Sequence, residues 1–125
     1  SMELETLRPN PAWDADSYDD AVAAFEAVAD DVVVKVWGGD WCVDCRSQLP
    51  DFGAAMEAAG VEAVEHHPVE KADDGSKVGP GVEAYDVELI PTVVVEDADS
   101  GVERARFVED ADAPIVVHLA EQLAE

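Results

Sequence analysis

A chain of 125 residues, 48% of them hydrophobic, is long enough to bury one core and too short for two ordinary domains. Its recurring apolar runs exclude compositional disorder despite 30 acidic residues against 7 basic ones and a formal charge of -23. With no basic patch, direct binding to nucleic acid or to an anionic membrane is disfavoured.

The acids are spread along the chain (Asp14, Asp30, Glu57, Asp73, Glu88, Asp110) and do not form a tail. That pattern favours a whole-surface adaptation to concentrated salt, as in a halophile's cytoplasm, over an acidic interaction module. At molar salt the Debye length is about 3 Å, so neighbouring carboxylates hardly repel one another. The fold is therefore expected to weaken on dilution, and equal melting temperatures in dilute buffer and molar KCl would contradict this. No apolar run approaches transmembrane length, and Ser1-Met2-Glu3-Leu4-Glu5 lacks the basic and apolar regions of a signal peptide. A cytoplasmic protein is expected, with Ser1 a cloning scar, and a monomer is the working expectation for its assembly.

In chain order, residues 1–16 form a lead-in with Pro9, Pro11 and Trp13, compatible with a short edge strand or a loose segment. The domain proper is expected over 17–125. Ala21, Val22, Phe25, Val28 and Ala29 share one stripe and predict a helix from Ser17 to Ala29. The β-branched run Val32 to Trp37 predicts a central strand, interrupted only by Lys35, and Gly38-Gly39 a sharp turn. Leu49, Phe52, Ala55, Met56 and Ala59 predict a second helix from Cys42, kinked by Pro50 and ended by Gly60. Val61 to His67 predicts a strand parallel to the first, reached by a right-handed crossover. A polar loop from Glu70 to Ser76 follows, then a short helical piece around Val82 to Tyr85. Thr92 to Glu96 and Val102 to Val108 predict a hairpin, and a last helix is expected to be capped by Asp112, with Pro114 in its first turn and Ile115, Val116, Leu119 and Leu123 on its buried face.

The only cysteines, Cys42 and Cys45, form a C-x-x-C at the junction of the first strand and its helix. In a reducing compartment such a pair points to redox or metal chemistry rather than to a structural staple, whose short loop would remove little unfolded-state entropy. A thiol at a helix N-terminus gains thiolate character from free amide groups and the helix dipole, which favours Cys42 as attacker. Cys45, one turn further in, is placed to resolve the mixed disulfide. A zinc site completed by His66, His67 or His118 is disfavoured, because His66 and His67 are adjacent on a strand and point to opposite faces.

Trp41-Cys42-Val43-Asp44-Cys45, Pro50 five residues on, Ile90-Pro91-Thr92 and Gly101 in the later hairpin together resemble the thioredoxin family over about residues 17–124. The resemblance implies a thioredoxin fold, an α/β domain with a central mixed β-sheet flanked by helices. It also implies a thiol-disulfide oxidoreductase that reduces protein disulfides, with Cys42 as nucleophile and Cys45 as resolving residue. Pro91 would be cis and, with Ile90 and Trp41, would meet the substrate. Partners would be disulfide-containing proteins and an external reductase, with no cofactor and no metal. The alternative is a non-catalytic binding module on the same fold.

The chain departs from the common pattern in three ways. Val43-Asp44 stands where Gly-Pro is usual, and Asp44 opposes thiolate formation while Arg46 offsets it in part. The Cys-x-Asp-Cys centre resembles relatives with Trp-Cys-Pro-Asp-Cys, which act on fewer substrates. The family's buried carboxylate is missing, with Lys35 or Val36 at the matching position. Beneath Cys45, Lys35 would tune the thiol; otherwise its head reaches solvent or pairs with an acid.

Overall fold

In the computed structural model, which describes residues 3–125, the elements run α1 (Asp19–Glu26), β1 (Val32–Gly38), α2 (Val43–Ala59), β2 (Val64–Pro68), β3 (Glu70–Lys71), β4 (Lys77–Val78), β5 (Thr92–Asp97), β6 (Glu103–Val108) and α3 (Ile115–Leu123). The assignment of Ser1 to a cloning scar lies outside the described residues. Strand order in the main sheet is β2-β1-β5-β6, with β2 parallel to β1 and the β5-β6 hairpin antiparallel. The β-branched run thus forms an inner strand, as its apolar character requires. This is the α/β architecture expected, a mixed sheet flanked by helices in the thioredoxin arrangement.

Successive strand residues face opposite sides, so Val34, Val36 and Gly38 share one face of β1 and Lys35 and Trp37 the other. On the first face, α1, α2 and α3 pack on one another, α3 lies on β6, and Cys45 and Leu49 of α2 lie against Gly38 of β1. Phe25 of α1 meets Phe52 of α2 edge-on at 6.4 Å, and Phe107 of β6 meets His118 of α3 at 5.5 Å. Segment 79–91 lies over the second face, where Tyr85 and His67 each approach Trp37 with ring centroids at 4.8 Å.

Several elements differ from expectation. The lead-in is neither a strand nor loose: Leu4 and Leu7 are buried in the core around a 3-10 turn at Glu5–Leu7. Gly53 of α2 lies so close beneath Leu7 that a Cβ there would strike the Leu7 carbonyl, which fixes this segment against the helix. The helix expected from Ser17 to Ala29 is shorter, Asp19–Glu26, and is preceded by a 3-10 turn, Ala15–Tyr18, which Asp14 caps by accepting from the Asp16 N–H. α2 continues through Pro50, whose carbonyl accepts the Asn10 N–H at 3.0 Å, and ends on Gly60 in the left-handed region. β3 and β4 form a small hairpin across the loop expected to be irregular. The Val82–Tyr85 piece is a series of hydrogen-bonded turns and not a helix, with Asp86 at φ 53. Pro114, not Asp112, sits at the N-cap of α3. Among the described residues no helix is long and apolar enough to cross a membrane.

Candidate functional site

The Gly38-Gly39 turn carries the chain from the end of β1 into α2. Cys42 donates its N–H to the Gly39 carbonyl at 3.0 Å, and its own carbonyl accepts from the Arg46 N–H at 3.0 Å, closing the first turn of the helix. Cys42 is the N-cap: its Sγ lies 3.4 Å from the Cys45 N–H, where a serine or aspartate oxygen commonly sits. A sulfur so placed faces the free amides of a helix start, the environment that stabilises a thiolate.

The two thiols differ sharply in exposure. Cys42 is half-buried, whereas Cys45 is fully buried. Cys45 packs against the end of β1, where a Cβ on Gly38 would come within 3.4 Å of its Sγ and 3.1 Å of the Leu49 side chain. Glycine at 38 leaves that space free. Burial pushes the Cys45 thiol up to about 12; an N–H from Gly39 works against this, while Cys42 and Asp44 add to it.

Lys35 does not lie beneath Cys45, which corrects its assignment to thiol tuning. It projects from the opposite face of β1, where Nζ lies 2.8 Å from the Tyr85 hydroxyl, 2.9 Å from Glu96 Oε1 and 3.8 Å from Glu65 Oε1. The bond to Tyr85, opposed by desolvation and reinforced by Glu96, holds this ammonium charged well above the usual lysine range, so it does not exchange a proton near neutral pH. Val36 is the helix-facing residue of the pair and is fully buried and apolar. The signal was in the sequence: a strand residue between Val34 and Val36 must face away from the helix those valines support.

Around the thiols, Asp44 is exposed in the first turn of α2, and the Arg46 guanidinium donates to the Trp41 carbonyl at 3.4 Å rather than turning to a sulfur. Trp41 is 43% exposed, with its indole N–H on the Val69 carbonyl at 3.1 Å. Asp40, not singled out from the sequence, accepts from the N–H groups of Glu5 and Thr6 at 3.1 Å each and from the Thr6 hydroxyl at 3.0 Å. It ties the N-terminal segment to the cysteine turn.

The Ile90-Pro91 peptide bond is cis. Thr92 is in register with Trp37, so Pro91 arrives at the same end of the sheet as the cysteine turn. The Pro91 carbonyl accepts the Glu109 N–H at 2.7 Å, and Gln48 of α2 donates to the Glu109 carbonyl at 2.9 Å, linking this loop to the helix. Ile90 and Pro91 are buried, so their side chains offer a partner little surface. Besides Trp41, exposed apolar side chains near this end include Val43, 68% exposed, Leu89, 44% exposed, and Val108, 41% exposed and in register with Thr92, none of which sequence reasoning selected as a contact.

His66 and His67 diverge, as expected from strand alternation. His66 Nδ1 accepts the Leu4 N–H at 2.9 Å, and His67 stacks on Trp37. Among the described residues no group of three or more histidine, cysteine or acidic side chains could hold a metal ion.

No protein-family model matches the chain, and no curated protein matches it. Among solved structures, a protein of unknown function from Pseudomonas aeruginosa is similar at 20% identity and a TM-score of 0.56, over 88% of this chain and 75% of that one. That likeness concerns the fold alone. A disulphide isomerase from Xylella fastidiosa aligns over 99% of this chain and 97% of its own, at 20% identity and a TM-score of 0.44, too loose to carry a functional argument. The geometry of the pair itself, a half-buried thiol capping a helix with a buried thiol one turn behind, fits thiol-disulfide chemistry in general.

Proposed function

We propose that this protein is a dithiol-disulfide oxidoreductase that reduces disulfides of other proteins, in the reducing cytoplasm of a halophile. The observation that carries the proposal is the asymmetry of the pair: Cys42 is accessible at the N-cap of α2, and Cys45 is buried with its N–H 3.4 Å from the Cys42 sulfur. The Cys42 thiolate attacks one sulfur of a target disulfide, forming a mixed disulfide and expelling the other target sulfur as a thiolate, which takes up a proton. The Cys45 thiol loses its proton and its sulfur attacks Cys42, releasing the second target thiol and leaving a Cys42-Cys45 disulfide. Two electrons pass from the dithiol to the target, and an external reductase returns them. No cofactor takes part in these steps. Trp41 and the backbone at Ile90 and Pro91 are the proposed contacts for the target.

The test is turnover of insulin disulfides in molar KCl with dithiothreitol as reductant. The wild type should accelerate reduction, Cys42→Ser should abolish the acceleration, and Cys45→Ser should accumulate mixed disulfides. Full activity in Cys42→Ser refutes the assignment of the nucleophile. A wild type without turnover refutes the reductase and leaves a binding module.

A further inference from the structure

Segment 79–91 delivers Leu89, Ile90 and Pro91 to the end of the sheet that carries the cysteines, yet it contains neither helix nor strand. Its position rests largely on side chains that rise from three strands. Trp37 of β1 donates its indole N–H to the Pro80 carbonyl at 2.7 Å, and Arg106 of β6 donates to the Tyr85 carbonyl at 2.9 Å. Arg106 is itself oriented by two bonds to Glu103, at 2.9 and 2.8 Å. Between these anchors the Tyr85 hydroxyl enters a closed triangle. Lys35 of β1 donates to it at 2.8 Å, it donates to Glu96 Oε2 of β5 at 2.8 Å, and Lys35 bridges to Glu96 Oε1 at 2.9 Å.

The lysine and glutamate side chains are only 18% and 11% exposed, so the pair is largely withdrawn from water. Such pairs are poor contributors to stability, and apolar residues of similar volume often do as well. Charge-assisted bonds are, however, short and directional, which suits them to fixing one geometry. Two residues beyond Tyr85, Val87 is buried and donates its N–H to the Val82 carbonyl at 2.9 Å, so the position of the tyrosine is passed along a short, braced stretch to Leu89. The Leu89 carbonyl then accepts the Thr92 hydroxyl at 2.6 Å, at the start of β5.

We propose that Lys35, Tyr85 and Glu96 are positioning residues that hold segment 80–91 on the sheet, so that Leu89 and the backbone at Ile90 and Pro91 are set to receive a folded protein target beside Cys42. This rests on the reductase reading for its substrate and assigns the unusual strand lysine to target recognition and not to thiol chemistry. A small disulfide needs only the thiol; a folded target also needs the loop in place.

The experiment uses Tyr85→Phe, which keeps the ring against Trp37 and removes the hydroxyl. Expected is a fall of about tenfold in kcat/KM for insulin, carried by KM. The rate with a small aromatic disulfide and the pH titration of Cys42 should stay unchanged. Lys35→Met should act in the same direction, and the double variant should add little to the larger single effect. An equal loss on both substrates, or no loss on either, overturns the proposal. Hydrogen exchange separates this outcome from failure of the reductase reading. In Tyr85→Phe, amides of 81–91 should exchange faster while those of α2 do not. Unchanged exchange overturns the positioning role whether or not the wild type turns over insulin.

Discussion

Under the helices the sheet presents Val34, Val36, Val93, Val95 and Phe107, all buried and apolar, whereas its opposite face is held by Lys35, Glu96, Tyr85, Trp37 and Arg106 through hydrogen bonds and ring contacts. The apolar face fixes α2, and with it the depth of Cys45, by non-directional packing that tolerates no gap. The polar face fixes an irregular segment, for which directional bonds replace the missing backbone ladder. One sheet therefore supports the two halves of the candidate site by different means, and the two should fail differently.

The largest effect is expected on the apolar side. Phe52→Ala removes a fully buried ring that meets Phe25 and should cost about 3–5 kcal/mol in denaturant unfolding. Next comes Lys35→Met, which leaves Glu96 buried without its cation and should cost about 3 kcal/mol. Replacing Glu96 with Leu as well should restore much of that loss, and a double-mutant cycle in which the two costs simply add would contradict the pairing. The same pair predicts a pH dependence. Because the folded pKa of Lys35 is raised, its contribution is fully present below the ordinary lysine value of about 10.4 and is lost as pH rises through the folded value.

The buried thiol offers a kinetic comparison of intermediate size. Burial is the largest cause of the raised Cys45 value of about 12, and it should persist when Cys42 is held in a mixed disulfide. The thiolate fraction, and with it release of a trapped target, should grow about tenfold per pH unit between about pH 7 and 9. A plateau near neutral pH in a stopped-flow release assay would reveal a base beside Cys45.

The smallest effect is at Asp40. Burial raises its pKa, but the N–H groups of Thr6 and Glu5, the Thr6 hydroxyl and the Arg8 charge together outweigh this and leave it below the ordinary carboxylate value. Its contribution is therefore present above about pH 4 and lost as pH falls through the folded value. Asp40→Asn should cost about 0.5 kcal/mol, since its bonds to Glu5 and Thr6 are exposed. Loosening should be confined to residues 4–7 in hydrogen exchange.

Much of this was legible in the chain because it depends on local pattern. Valines at 32, 33, 34 and 36 dictated the inner strand, Gly60 the end of α2, and the spacing of Cys42 and Cys45 their placement one turn apart. The side taken by Lys35 was also available from strand alternation. What was hidden depends on distance along the chain. Nothing local pairs Tyr85 with Lys35, 50 residues away, or Asp40 with the Thr6 N–H, 34 residues away. The expected helical piece around Val82 to Tyr85 is instead a run of turns, which Asp86, at positive φ, closes. Leu4 and Leu7 were too few to specify an element, which needs Gly53 to admit the Leu7 backbone against α2 and Gly38 to leave room for the Leu4 side chain.

The most direct test of the central claim is a redox titration of the Cys42-Cys45 pair in molar KCl, followed by thiol labelling. The account predicts one reversible two-electron transition in which both thiols disappear together, abolished in Cys42→Ser and in Cys45→Ser. Thiols that remain independently reactive at every potential would contradict it.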